Sequence, residues 1–388
     1  MPKISATKTL SADSLSSQQL ITDLQARGLN LTAKATGDAT GKAEGETAGA
    51  AGRKGGAGPS DHKAVTIGET TVMVPVYTSG AAQSPYGVES DRTTGKSYLT
   101  HNNRILTQLD FPNQPKFYSL HTADGIPYSQ IALLHSNNVL ATTVLQTCIR
   151  YENRQTACQF CAIGQSLEAG RTIAQKTPEQ LAEVAEAAVR LDGVEHMIMT
   201  TGTPNTTDRG AAYLTDCAKA IRARIALPIQ AQCEPPNDFI WFERMRSAGV
   251  DSLGMHLEAA DPQVRAKIMP GKAKVPISYY FEAFTAAVKV FGRGQVSTYL
   301  LAGLGDSKET LLTISERLID AGVYPFVVPF VPITGTPLAH HRPPTSEFMF
   351  DLYRTIGQQL KQANLLSSEM KAGCAKCGAC SALSGFEA

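Results

Sequence analysis

Residues 139–161 read VLATTVLQTCIRYENRQTACQFC, and this stretch decides the fold. It begins with VLATTVLQ, an apolar run that predicts a buried β-strand. It then enters a loop that contains three cysteines, Cys148, Cys158 and Cys161. Strands that are apolar on both faces are typical of parallel sheets covered by helices. The stretch therefore predicts a parallel strand that delivers three thiols to the end of a sheet.

Strand and helix patterns alternate after this stretch. Apolar strand patterns such as EHMIMTT (195–201) alternate with amphipathic helix patterns such as PEQLAEVAEAAVRL (178–191), and six such units follow one another to about residue 364. Alternation of this kind implies a parallel sheet with right-handed crossovers. Six units instead of eight predict an α/β fold, a partial (βα)6 barrel of the TIM type. Its functional residues are expected at the carboxyl ends of the strands.

The 388 residues, 43% of them hydrophobic, suffice for one large core and a smaller appendage. An amphipathic pattern over 13–28 predicts a helix that ends at Gly28, and turns at Gly68 and at Asp124-Gly125 predict two hairpins. The predicted parts are an N-terminal helix (1–30), a flexible Gly/Ala-rich linker (31–62), a β-rich N-terminal subdomain (63–138), the barrel (139–340), and a C-terminal helix with a Cys-rich tail (341–388).

Composition excludes several classes of protein. The net charge is +1 and 18% of residues are charged, so the chain lacks the basic footprint of a nucleic-acid-binding protein. No apolar run is long enough to cross a bilayer, and the first twenty residues lack the apolar core of a secretory signal. We therefore expect a cytoplasmic protein with no nucleic-acid or membrane partner. In that reducing compartment its eight cysteines are metal ligands or free thiols rather than disulfides.

The spacing Cys-x9-Cys-x2-Cys suits an iron–sulfur cluster. Thiolates are soft ligands, and three of them can bind three irons of a [4Fe–4S] cube. The fourth iron then remains open to a small molecule, unlike the iron of an electron carrier with four protein ligands. A zinc knuckle or unligated thiols are the alternatives.

This arrangement resembles the radical S-adenosylmethionine (SAM) superfamily, which carries three cysteines in the loop after the first strand of a (βα)6 barrel. An aromatic residue usually precedes the third cysteine there, as Phe160 does here. The usual spacing is Cys-x3-Cys-x2-Cys, so this chain has six extra residues after Cys148, and a longer loop can still close on one cluster. The resemblance implies SAM cleavage to a 5′-deoxyadenosyl radical, hydrogen abstraction from a small-molecule substrate, and a flavodoxin- or ferredoxin-type electron donor.

The resemblance also implies a SAM pocket. Thr200, Thr201, Gly202 and Thr203 occupy the place of a Gly-containing motif that contacts the SAM amino group, although a βα turn that needs Gly and Pro is an equal alternative. Glu234 and Glu258 follow the third and fourth strands, and buried carboxylates suggest a ligand or an ion partner. They would hold SAM or the substrate, or else form ion pairs with each other or with Arg265.

Residues 261–272, DPQVRAKIMPGK, resemble the biotin synthase and thiazole synthase-like branch of the superfamily. Arg265 would pair with the SAM carboxylate, because its planar guanidinium suits a bidentate contact. His256, two residues before Glu258, is expected to share its face of the strand.

The tail contains a second cysteine trio, Cys374, Cys377 and Cys380, in KAGCAKCGACSAL. It predicts an auxiliary iron–sulfur cluster, with zinc or a redox dithiol as alternatives. His340, His341 and Cys233 are candidate fourth ligands, whereas Cys217 is expected in the core. The tail and GGAGPSDH (55–62) resemble an uncharacterised radical SAM subfamily encoded beside a nitrilase in bacterial gene clusters.

Two other functions compete with hydrogen abstraction alone. One is biotin synthase-like sulfur insertion from an auxiliary cluster, which usually needs several cysteines on the barrel wall, where only Cys233 qualifies. The other is a non-catalytic iron–sulfur or zinc protein that transfers electrons.

Overall fold

The computed structural model describes residues 16–31, 62–91 and 93–388, and the predicted linker falls almost wholly outside them. The described residues form a two-stranded, a three-stranded and a seven-stranded sheet. The strands are β1 His62–Ile67, β2 Thr70–Pro75, β3 Tyr86–Ser90, β4 Ser97–His101, β5 Arg104–Leu109, β6 Leu133–His135, β7 Val139–Thr143, β8 His196–Thr200, β9 Ile229–Gln232, β10 Ser252–Gly254, β11 Val296–Ala302 and β12 Val323–Pro329.

The seven-stranded sheet curls into the partial barrel that the sequence predicts. Its order is β12-β11-β10-β9-β8-β7-β6, the six strands from β7 to β12 are parallel, and β6 pairs antiparallel with β7. The strands are almost entirely buried, in keeping with a sheet covered on its outer face by helices. All six predicted barrel strands are confirmed, because each pattern rests on a local apolar run.

Helices cover the outside of the barrel. The second barrel helix begins at Thr177, whose hydroxyl accepts a hydrogen bond from Gln180 in a capping box, and ends at Gly193 in the left-handed conformation. The helices are α1 Ser17–Arg27, α2 Tyr128–Ile131, α3 Ile163–Glu168, α4 Pro178–Asp192, α5 Ala211–Arg224, α6 Ile240–Ser247, α7 Pro262–Ile268, α8 Pro270–Ala273, α9 Ile277–Phe291, α10 Lys308–Asp320, α11 Ser346–Gln362 and α12 Cys374–Cys377. No helix among the described residues has the length and apolar character that a bilayer crossing requires.

The N-terminal part confirms one predicted hairpin and corrects the other. Strands β1 and β2 pair antiparallel around Gly68, which has φ 59°. The Asp124-Gly125 turn forms, but a 3-10 helix over Lys116–Ser119 and helix α2 flank it, with a single bridge between His121 and Pro127. Proline cannot donate to a strand ladder, so Pro127 precedes helix α2 as its N-cap and does not extend a strand.

Helix α1 and the C-terminal tail meet at the amino-terminal ends of the barrel strands. Helix α1 ends at Gly28 as predicted, whereas residues 13–15 of its predicted range lie outside the described residues. The Gln25 side chain donates to the Ala379 carbonyl at 3.2 Å, and the backbone N–H of Met73 donates to the same carbonyl at 2.7 Å. The tail therefore packs between α1, the first hairpin and the barrel.

Candidate functional site

The loop with Cys148, Cys158 and Cys161 lies at the carboxyl ends of the strands, where it follows β7. Backbone hydrogen bonds hold it on two sides: Ile149 N–H donates to the Thr203 carbonyl at 3.0 Å, and Gln159 N–H donates to the Ile268 carbonyl at 2.8 Å. The turn after β8 and the end of α7 thus position the thiols.

The three thiols lie close enough to influence one another. Burial raises the pKa of Cys158 well above its usual value, with contributions from the charges of Glu258 and Cys161. Burial raises the pKa of Cys161 to about 12, and the charge of Cys148 adds to this shift. Bound irons would supply the positive charge that buried thiolates require, and metal coordination deprotonates thiols outright. The trio therefore fits an iron–sulfur cluster.

Within the described parts of the chain, no three His, Cys, Asp or Glu side chains converge on a point where one metal ion would sit. A [4Fe–4S] cube does not require that convergence, because each thiolate binds a different iron.

Glu234 forms a bidentate ion pair with Arg150, an arginine of the cysteine loop itself. Both guanidinium–carboxylate distances are 2.7 Å, and the Thr203 hydroxyl donates to the same carboxylate at 2.7 Å. Arg150 also donates to the carbonyl of Gly271. Burial would raise the pKa of Glu234, but the hydrogen bonds from Arg150 and the charge of Lys272 outweigh it and hold this pKa below its usual value. Glu234 thus carries its charge and links three loops of the barrel mouth.

Glu258 pairs with Lys272, at 2.8 Å between the carboxylate oxygen and Nζ. Its backbone has φ 65°, a left-handed conformation that is uncommon outside glycine and recurs at functional sites. Burial alone would lower the pKa of Lys272, but Glu258 and other neighbours raise it above its usual value. The structure therefore corrects the alternative that the two carboxylates pair with each other or with Arg265, because their ion-pair partners are Arg150 and Lys272.

Arg265 lies 2% exposed behind this mouth. Its guanidinium donates to the carbonyls of Leu257 at 2.6 Å and Ala259 at 3.1 Å, and it stacks on the Tyr280 ring. A contact between Arg265 and the SAM carboxylate stays a prediction, and it would require an exchange of these backbone hydrogen bonds.

Thr200 ends β8, and the segment to Thr203 turns against the cysteine loop. A Cβ on Gly202 would lie 2.0 Å from the Thr147 carbonyl oxygen, so only glycine permits this approach. The Thr201 hydroxyl donates to the Gly202 carbonyl at 2.8 Å. These contacts give Gly202 a packing role, and SAM contacts by Thr200, Thr201, Gly202 and Thr203 stay predictions.

His256 and Tyr299 lie inside the barrel below the two ion pairs. Their rings meet edge to face with centroids 4.6 Å apart, and the Tyr299 backbone N–H donates to Nδ1 of His256 at 3.2 Å. Burial lowers the pKa of His256 to about 3, and the charge of Lys272 contributes. The imidazole is therefore neutral, and its Nε2 carries the proton and can donate to a ligand.

The roles of Arg150, Lys272 and Tyr299 were not predicted from the sequence. Arg150 and Lys272 lie in quoted motifs, the cysteine loop and DPQVRAKIMPGK, so a search for cations beside the predicted carboxylates would have found them. No sequence signal marks Tyr299, an aromatic residue in an apolar strand.

The tail trio lies at the opposite end of the barrel. Gly373 N–H donates at 3.3 Å to Nδ1 of His196, the first residue of β8. The structure does not bring two of the proposed fourth ligands to the tail. Cys233 follows the carboxyl end of β9, and His341 bonds the Gly303 carbonyl beyond the carboxyl end of β11. Cys217 is buried in α5, as expected.

A partial (βα)6 barrel with three cysteines in the loop after its first parallel strand defines the radical SAM class of protein. Residues 153–318 match the family model described as Radical SAM superfamily, so this chain contains a radical SAM domain. Members of that superfamily are enzymes that use a [4Fe–4S] cluster and SAM. Cys158 and Cys161 lie within the matched residues, whereas Cys148 precedes them. The finer predictions, the biotin synthase-like branch and the nitrilase-linked subfamily, stay predictions.

Similarity to individual proteins either covers only part of the chain or is low in sequence identity. The chain is 34% identical over 127 residues to a bacteriochlorophyllide c C-7(1)-hydroxylase of Chlorobaculum limnaeum, a match that covers 32% of this chain and 31% of that protein. Among solved structures, methylornithine synthase has a TM-score of 0.45 at 16% identity, covering 64% of this chain and 72% of the other. A radical SAM methyltransferase of Sphaerobacter thermophilus has a TM-score of 0.45 at 15% identity, covering 74% and 76%.

Proposed function

We propose that this chain cleaves SAM reductively and uses the resulting radical to abstract hydrogen from a small molecule. The observation that carries the proposal is the trio Cys148, Cys158 and Cys161, three thiols on one loop at the mouth of the barrel, of which Cys161 lies within electrostatic reach of the other two. Cys148, Cys158 and Cys161 would hold a [4Fe–4S] cluster with one iron left for SAM, and the cluster would supply the one-electron reduction that splits SAM into methionine and a 5′-deoxyadenosyl radical. The electron comes from an external one-electron donor of the flavodoxin or ferredoxin type.

The two ion pairs beside the trio suit the charges of SAM. The amino acid end of SAM carries a carboxylate and an ammonium group. The barrel mouth offers positive charges from Arg150 and Lys272. It offers negative charges from their partners, Glu234 and Glu258. Carbonyls of the turn Thr200–Thr203 lie beside the cysteine loop and would accept hydrogen bonds from the SAM amino group. Each pair is hydrogen-bonded in a fixed geometry, so the charges are oriented before a ligand arrives.

The substrate would lie deeper, toward His256 and Tyr299. The neutral His256 offers an N–H donor in the barrel interior. Exclusion of water by a bound substrate would protect a radical from stray hydrogen donors. A small molecule with a hydrogen-bond acceptor is therefore the class of substrate that this interior would orient. We place the reaction in the cytoplasm, where reduced electron donors are available.

Anaerobic reconstitution tests the proposal. Wild-type protein with iron, sulfide, SAM and dithionite is expected to form 5′-deoxyadenosine and methionine, measured by liquid chromatography and mass spectrometry. Cys158→Ala removes one iron ligand and is expected to abolish both products. Cys217→Ala removes a buried thiol far from the loop and serves as the matched control, with product formation unchanged.

Wild-type protein with a full cluster, but with no 5′-deoxyadenosine and no change of its electron paramagnetic resonance spectrum on addition of SAM, would contradict the proposal.

A further inference from the structure

The second cysteine trio enters the barrel from the end opposite the SAM site. The backbone N–H of Cys374 donates to Oε1 of Gln230, the second residue of β9, at 3.2 Å. The N–H of Lys371 donates at 3.0 Å to the side chain of Gln295, which immediately precedes β11. The trio is therefore docked on the inner wall of the barrel at the amino-terminal ends of the strands.

Cys374 and Cys377 of this trio accept hydrogen bonds from surrounding residues. The Gln232 amide donates to Cys374 Sγ at 3.1 Å, and the Tyr299 hydroxyl donates to the same sulfur. The Ser136 hydroxyl and the backbone of Ala379 hydrogen-bond to Cys377. Donors around thiolate sulfur are the outer-shell partners that orient metal ligands and tune iron–sulfur clusters.

Cys380 completes the set. Its Sγ lies 3.4 Å from Nε2 of His135, the last residue of β6. The residues that contact the three sulfurs thus come from β9, β11, the end of β6 and the tail itself.

The local backbone is shaped to place this trio. Gly373 has φ 119°, and a Cβ there would lie 2.3 Å from the Gln230 carboxamide. Gly378, between Cys377 and Cys380, has φ 67° and reverses the chain after the single turn of α12. Two glycines in the left-handed region within six residues allow three sulfurs to face one interior.

A cleft reaches this site from solvent. It has a volume of about 940 Å³ and lies between the tail, α1, the first hairpin and the start of β8. Lys376, Cys377 and Gly378 line it. Iron and sulfide can therefore reach the trio without passing the SAM site.

We propose that Cys374, Cys377 and Cys380 bind a second iron–sulfur cluster at the amino-terminal end of the barrel. In a [4Fe–4S] cube, each of three thiolates binds a different iron. The three tail sulfurs face one interior, and within the described residues they do not converge on a point where one metal ion would sit. A cube therefore suits this arrangement better than a single ion does. The proposal is independent of the SAM reaction, since it concerns metal binding at the other end of the barrel.

The test counts iron and sulfide in the full chain after anaerobic reconstitution. Wild type is expected to hold about eight irons per chain, and the triple variant Cys374→Ser, Cys377→Ser, Cys380→Ser about four, as for one cube each. The triple variant Cys148→Ser, Cys158→Ser, Cys161→Ser is also expected to hold about four. Cys217→Ser is the matched control and should equal wild type.

Spectra assign each remaining cluster. Added SAM is expected to change the electron paramagnetic resonance spectrum of the tail variant, which should still form 5′-deoxyadenosine, and to leave that of the loop variant unchanged. These readouts separate failure of the second cluster from failure of the SAM reaction.

The proposal is overturned by about four irons in wild type, by equal iron in wild type and the tail variant, or by zinc in wild type that the tail variant loses. The wild-type count needs no variant, so it decides the matter even where the tail variant does not fold. Far-ultraviolet circular dichroism of each variant establishes whether it folds.

Discussion

At the scale of single residues, the charged side chains at the mouth of the barrel form ion pairs. The Arg150 and Glu234 side chains are 11% and 7% exposed, so their ion pair is largely removed from water. Removal of one partner from such a pair leaves an uncompensated buried charge. An exposed pair, such as Arg224 and Glu186 at 3.6 Å, contributes little by comparison.

Glu234→Gln is therefore expected to lower the free energy of unfolding of the metal-free protein by about 3 kcal/mol at pH 7. The pKa of Glu234 is lowered in the folded state, so its stabilisation is present above the unfolded pKa and is lost as pH falls through the folded pKa. The difference between wild type and variant should thus shrink in acid. Urea unfolding at several pH values measures it.

Glu186→Gln is the matched control for that experiment, with an expected change below about 0.5 kcal/mol. Equal effects of the two substitutions, or a Glu234→Gln effect that persists unchanged in acid, would contradict this account of the pair.

At the scale of elements, the turn after β8 positions the cysteine loop. The Gly202 N–H donates to the Leu145 carbonyl at 2.9 Å, and its missing side chain leaves room for Thr147, one residue before Cys148. A methyl group there would push two loops apart, because the nearest contact is a backbone oxygen that cannot rotate away.

Gly202→Ala is expected to destabilise the protein by about 1–3 kcal/mol through overpacking and to displace Cys148. Iron bound at the loop trio and 5′-deoxyadenosine formation should both fall, measured by iron analysis and product assay. Gly80→Ala is the control, because its added Cβ would meet nothing closer than 3.9 Å. Unchanged iron content and product formation in Gly202→Ala would refute this role.

At the scale of the whole molecule, the tail connects α1 and α11 to the barrel. Phe386 packs against Phe350 and Tyr353 of α11, with ring centroids 5.2 and 5.7 Å apart. The Gln18 side chain of α1 donates to the neighbouring Gly385 carbonyl at 2.6 Å. Loss of the Phe386 ring should therefore loosen α1 as well as the tail.

Phe386→Ala is expected to cost about 3 kcal/mol of stability and to speed amide hydrogen exchange in both α1 and α11. Ile105→Ala is the control, since Ile105 is 50% exposed and its loss should change stability by less than about 0.5 kcal/mol. Faster exchange confined to the last residues of the tail would contradict the coupling.

Local signals in the sequence determined the barrel. The apolar runs of β7 to β12 and the amphipathic helices between them are readable because backbone hydrogen bonding and burial impose fixed periods on adjacent residues. The three-cysteine loop was equally readable, since its chemistry lies within fourteen residues. The prediction of the second hairpin was wrong. It relied on the turn signal at Asp124-Gly125, although Pro127 cannot donate a strand hydrogen bond.

Only the tertiary structure decided which charged side chains form ion pairs. Arg150 and Glu234 are 84 residues apart in the chain, and they pair because the ends of parallel strands converge at the barrel mouth. The position of the tail trio was likewise decided by packing, which carries Cys374 to strand residues more than 140 positions earlier. Such contacts depend on how strands curl and which surfaces bury each other, and no periodicity of neighbouring residues encodes that.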